Sequence, residues 1–319
     1  MRFLKAIYFL LFITIISLNA KDLNPIYYLT ASGGVTDLVY KNEKMYVATT
    51  ASTVDIFDIK TKSKIDEIRI PKIKDFMGDE INSKIYSVDI LDNMILILSQ
   101  GNKGGRNIHI YEEGTLKTII SDEKRMFIAR AKFINKDKIV FALLSNQVFL
   151  YDLKENKKIK EIQVSQSKFS NFKLDEGKKR VVIADESGNL KLLDTNNLNV
   201  IETFKNQNLD NVFQVDIKND FIITAGQDRK CVVYDIKRGI SYYKNADFLI
   251  YSVALSPSSK IAAFNSDEQN NVTIFNTDTK EDLYVLKQNP ALLSNILFIN
   301  ENEIFVSSDH EKINYYKID

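Results

Sequence analysis

One pattern returns along this chain and limits what it can fold into. "DIFDIKTK" (55–62) is followed by "HIYEEGTL" (109–116), "FLYDLKEN" (149–156), "KLLDTNNL" (191–198), "VVYDIKRG" (232–239), "TIFNTDTK" (273–280) and "NYYKID" (314–319). The large residue before the recurring polar position is Phe57, Tyr111, Tyr151, Leu193, Tyr234, Phe275 and Tyr316. The steps between them are 54, 40, 42, 41, 41 and 41 residues. A fixed period of this length marks a repeated supersecondary unit.

Each unit holds four short runs rich in Val, Ile, Phe and Tyr. In the sixth they are "IYSVALS" (250–256), "KIAAFNS" (260–266), "NVTIFNT" (271–277) and "EDLYVLK" (281–287). β-branched and aromatic residues suit strands, and Asn, Asp, Ser and Lys fill the turns between. The second and third runs are apolar at nearly every position, so both their faces are covered. The fourth mixes charges in, as in "KIDEIRI" (64–70) and "KIKEIQV" (158–164), and is the outermost strand. Seven such units predict an all-β, seven-bladed β-propeller of four-stranded blades. The last unit lacks a fourth run and a spare strand precedes the first. Residues 25–31 are therefore expected to complete the last blade and close the ring.

Residues 1–20 are a different text. "MRFLKAIYFLLFITIISLNA" has two cations, an apolar run of about 13 residues and a small residue at its end, the layout of a secretory signal. The run is shorter than the ~20 residues of a membrane span. Residues 21–319 would then be a single secreted propeller domain, with no membrane insertion after cleavage. Formal net charge is +1, which speaks against a nucleic-acid binder working through a basic face. Cys231 is the only cysteine, so no internal disulfide forms and packing must hold the fold. Lying in "KCVVYD", it reads as a buried core thiol.

No catalytic or metal-binding constellation is visible. The two histidines, His109 and His310, leave no zinc spacing, and no nucleophile elbow or phosphate loop occurs. Neither a catalytic residue, a metal nor a cofactor is expected. His109 reads as structural, and Asp185, Asp228, Asp267 and Asp309 read as turn caps. Two features stand out. The first is the third position of the seven inner strands: Asp37, Ser87, Arg130, Asn171, Gln214, Ser252 and Asn295. These polar side chains, with one cation, are expected to line the axial channel near one mouth, either as a wet lining or as a small-anion pocket at Arg130. The second is the long step of 54. Its extra residues sit at 71–84 and 99–107, two connections that lie on one face of a propeller. Lys74, Asp75, Phe76, Met77, Asp79, Glu80, Lys103 and Arg106 there, with Met126, Phe127 and Phe248 in neighbouring loops, form a candidate protein-binding surface. Folding of Phe76 back onto the blade is the alternative.

"IYSVALSPSSKIAAFNSDEQNNVTIFN" resembles a WD40-type repeat, without its Trp and without its Gly-His pair, so the Ser/Thr–His–Asp network of such repeats cannot be complete. The chain from residue 21 also resembles the NapL family, through "KDLNPIYYL" (21–29), "PKIKDFMGDEINSKIYS" (71–87), "VVIADESGNL" (181–190), "NLDNVFQVD" (208–216), "AGQDRK" (225–230) and "FVSSD" (305–309). The resemblance implies a periplasmic, monomeric, non-enzymatic accessory protein of periplasmic nitrate reductase, contacting the enzyme or its electron-transfer proteins. The reading set against it is a small-ligand-binding or lactonase-like hydrolytic propeller using the channel mouth.

Overall fold

A computed structural model describes residues 20–319. The expected secretory signal falls on residues 1–19, outside the described residues. Seven blade sheets follow one another, each built on consecutive antiparallel up-and-down strands. Their inner strands are Val35–Lys41, Ile85–Leu91, Ile128–Asn135, Phe169–Leu174, Val212–Lys218, Val253–Leu255 and Leu293–Phe298. Each inner strand contacts those of both neighbours, including the seventh with the first, so the ring is closed. The chain is the seven-bladed, all-β propeller that its repeat predicts.

The ring is held by seven apolar clusters, one in each gap between adjacent blades. The recurring large residue explains its own periodicity. Phe57, Tyr151, Leu193, Tyr234, Phe275 and Tyr316 are buried in the gap toward the preceding blade, and Tyr111 packs half-buried in the same position. A blade with two apolar faces gains stability only when both are covered. Cys231 is fully buried between blades 5 and 6, and burial pushes its thiol pKa far up.

Closure uses the N-terminal segment as its sequence suggests. Tyr27–Thr30 pairs antiparallel with His310–Lys317, placing Leu29 opposite Ile313. Leu29 and Ala31 are buried against Val35, Met45 and Phe57 of blade 1. A second closure has no counterpart in the sequence reading. Lys21–Leu23 adds a fifth strand, parallel, to the outer edge of blade 6. The Lys287 amide donates to the Leu23 carbonyl at 2.8 Å, and Lys21 reaches the Asp319 carboxylate at 3.2 Å. Blade 6 is thus five-stranded, not four-stranded, and its exposed edge is capped. Among the described residues no helix is long and apolar enough to cross a membrane.

Candidate functional site

The inner strand of a blade is the edge of its sheet. Every second N–H there points toward the axis with no strand to receive it. Five of the seven third-position side chains, all but Arg130 and Asn171, answer this need by bonding an adjacent blade. Asp37 accepts from the Val88 amide at 3.1 Å, Ser87 Oγ from Ala131 at 3.3 Å and Gln214 Oε1 from Val253 at 2.9 Å. Ser252 Oγ donates to Gln214 Oε1 at 2.8 Å, and Asn295 donates to the Thr36 carbonyl across the seam between blades 7 and 1. Position five repeats the device: Asp89 accepts from Phe133 at 2.8 Å and Asp216 from Leu255 at 2.9 Å. These polar side chains staple one blade to the next.

Arg130 does not stand alone. Its guanidinium contacts Asp37 at 3.3 Å, and Lys132 Nζ reaches the other Asp37 oxygen at 2.9 Å and the Val88 carbonyl at 2.6 Å. Burial opposes ionisation of Asp37, but the two cations outweigh it and hold its pKa below the ordinary value. Asp37 also receives the Leu38 amide, so its oxygens are fully used. Position five was missed in the sequence, although strand alternation puts it on the same side as position three. It reads Val39, Asp89, Lys132, Lys173, Asp216, Ala254 and Leu297.

A cavity of about 250 Å³ occupies the axial space. Asp37, Arg130, Asn171, Gln214 and Asn295 line it, whereas Ser87 and Ser252 are not part of its wall. It runs to Asp175, Glu176 and Lys178, in the turn after the inner strand of blade 4. That turn type lies on the face opposite both insertions. The cavity and the insertions therefore do not form one site.

The insertion face is a separate platform. Ile73–Lys74 and Glu80–Ile81 pair as a small hairpin. Asp75 accepts from the Met77 and Asp79 amides at 2.8 and 2.9 Å and shapes its tip. The Lys74 amide donates to Asn102 Oδ1 at 3.0 Å, tying the two insertions together. Asn102 is held in turn by Asp122. The glycines of "GNKGG" permit this packing: a Cβ on Gly105 would lie 2.6 Å from that of Asp122. Phe76 and Met77 are 81% and 87% exposed, so Phe76 does not fold back onto the blade. Glu80 pairs with Lys72, and Lys103 sits in the turn at Asn102–Gly104. Phe127 is exposed, Met126 packs against the core between blades 2 and 3, and Phe248 is half-buried near Tyr251, which stacks on Phe213. Arg106 is stacked on Tyr86 at 3.5 Å and half-buried, a placement inside blade 2 rather than at the loop tip.

His109 is buried between Ser99 Oγ and Thr118 Oγ1, both at 2.9 Å. Asp185, Asp228 and Asp267 accept turn amides, as short acids in such turns do. In blade 5, Asn208 bonds both Thr224 Oγ1 (2.7 Å) and Asp228 (3.0 Å). Among the described residues no three His, Cys, Asp or Glu side chains gather as a metal set. No protein-family model matches the chain, and no curated protein matches it significantly.

Proposed function

We propose that this chain is a non-enzymatic scaffold of the periplasm that docks a partner protein on the face bearing 71–84 and 99–107. The resemblance to the NapL family supplies the identity of the partner: periplasmic nitrate reductase or the proteins that bring it electrons. The signal-like residues 1–20 supply the compartment. The observation that carries the docking surface is the exposure of Phe76 and Met77, 81% and 87%, on a hairpin fixed by hydrogen bonds to a second loop. An ordered, protruding apolar pair costs little ordering entropy on binding and fits an anchor for an apolar recess. The charges beside it, Lys74, Asp79, Glu80 and Lys103, suit a polar rim.

The test is a photo-crosslinking residue at position 79, beside the apolar pair, in periplasm of nitrate-respiring cells. A crosslink to a subunit of the nitrate reductase system, lost in Phe76→Ala/Met77→Ser with an unchanged melting temperature, is the expected result. Crosslinks absent from that system, or unchanged by the double substitution, would remove the reading.

A further inference from the structure

The axial cavity has two unlike walls. At position five, blades 2 to 5 carry Asp89, Lys132, Lys173 and Asp216, whereas blades 6, 7 and 1 carry Ala254, Leu297 and Val39. Half-buried Tyr40 extends the apolar side. Lys178 and Lys218 extend the charged side toward the open end. The asymmetry is contiguous around the ring, so one half of the cavity is polar and the other half greasy.

The hydrogen-bond accounts of acids and bases differ on the charged wall. Asp37 and Asp216 are each used by two backbone amides besides their cations. Asp89 takes an amide and Lys178, at 3.3 Å, Asp175 takes two amides and Arg180, and Glu176, the fifth acid of the lining, takes the Asn219 amide at 3.2 Å. The bases keep donors in hand. Lys173 has one distant carboxylate contact, to Asp216 at 3.5 Å. Lys178 has only the contact to Asp89, and Lys218 has no ion pair within 4 Å among the described residues. Arg130 keeps a buried Nε without a partner. An ammonium carries three donors and a guanidinium five, so this wall has more donors than acceptors. Water can serve such donors, but it gains nothing from the apolar wall opposite.

We propose that this cavity binds a small organic oxyanion with an apolar body. The head, a carboxylate or phosphate ester, sits among Lys173, Lys178 and Lys218. The body lies against Val39, Ala254 and Leu297. At ~30 Å³ per water the space holds roughly eight water molecules, about the bulk of a six-carbon chain with its head group. The ligand enters from the face opposite the insertions, so partner docking and ligand binding are separable properties of this chain.

Titration calorimetry on residues 21–319 tests this with hexanoate and hexyl phosphate, which distinguish the two heads. Acetate carries charge alone and 1-hexanol body alone. One of the first two should bind saturably, one per chain, and at least about tenfold more tightly than acetate or hexanol. Lys218→Ala and Leu297→Asn should each weaken it about tenfold, and Lys173→Ala serves where either variant has a shifted melting temperature. Lys103→Ala, on the opposite face, should change nothing. Absence of saturable binding by both organic anions would overturn the proposal. So would equal binding of acetate, or binding indifferent to all three cavity variants. Phe76→Ala/Met77→Ser should bind the anion normally, so failure of the scaffold reading would leave this one standing.

Discussion

Mild acid should destabilise this protein through a single imidazole. His109 is 5% exposed and bonded to two hydroxyls. Hydroxyls satisfy a neutral ring in either tautomer but give a charged ring no counter-ion. Burial lowers its pKa from 6.5 to about 4, against a smaller opposing pull from Asp122. Because the folded pKa is depressed, the unfolded chain holds a proton between those two values that the native ring refuses. Stability is therefore fully present above pH 6.5 and falls as the pH drops toward 4. Integrating that difference gives a loss of about 2 kcal/mol between pH 7 and pH 5, reaching about 3 kcal/mol near pH 4. The chain has no Trp, so urea unfolding is best followed by circular dichroism, at pH 7, 6 and 5, for wild type and His109→Gln. The wild type should lose about 2 kcal/mol more than the variant over this interval. His310 remains in both proteins and serves as an internal control. Parallel pH dependence in the two would refute the reasoning, since the remaining carboxylates titrate alike in both.

Two further outcomes follow from the ring itself. Leu29→Ala opens the gap between blades 7 and 1, where Leu29 is 2% exposed, and should cost about 2–5 kcal/mol in urea unfolding. A loss under about 0.5 kcal/mol, the size of an ordinary surface change, would mean that the N-terminal strand does not hold the ring. Asp37→Asn leaves Arg130 and Lys132 without their shared carboxylate, at side-chain exposures of 14% and 11%. It should lower stability by about 3 kcal/mol, with the loss shrinking when Lys132 is also changed to Met. A double variant no more stable than Asp37→Asn alone would show that the pair is not coupled.

Much of the architecture was legible because it is written locally. Tyr151, Tyr234 and Tyr316 recur at a constant offset since every blade must fill the same gap toward its predecessor. Alternation in "VFQVDI" or "VTDLVY" places the third residue at the inner edge without any knowledge of the ring. The exposed aromatic of the hairpin was visible as an apolar residue in a charged loop, but its orientation was not. Whether Phe76 folds back depends on Asn102 and Asp122, which the hairpin meets only after blade 2 has formed.

The blade number, the order of the four repeat strands and the closing strand at 25–31 were legible in the chain alone, because they follow from period-two and period-41 patterns within short reach. Tertiary structure alone decided the parallel strand Lys21–Leu23, the use of Asp37 by two cations and an amide of the next blade, and the face on which the cavity opens. Those features join residues from about 50 to nearly 300 positions apart in the chain. Which donors are consumed and which remain free is fixed by how one blade's side chains meet the next blade's backbone, and only the closed ring brings them within hydrogen-bonding distance.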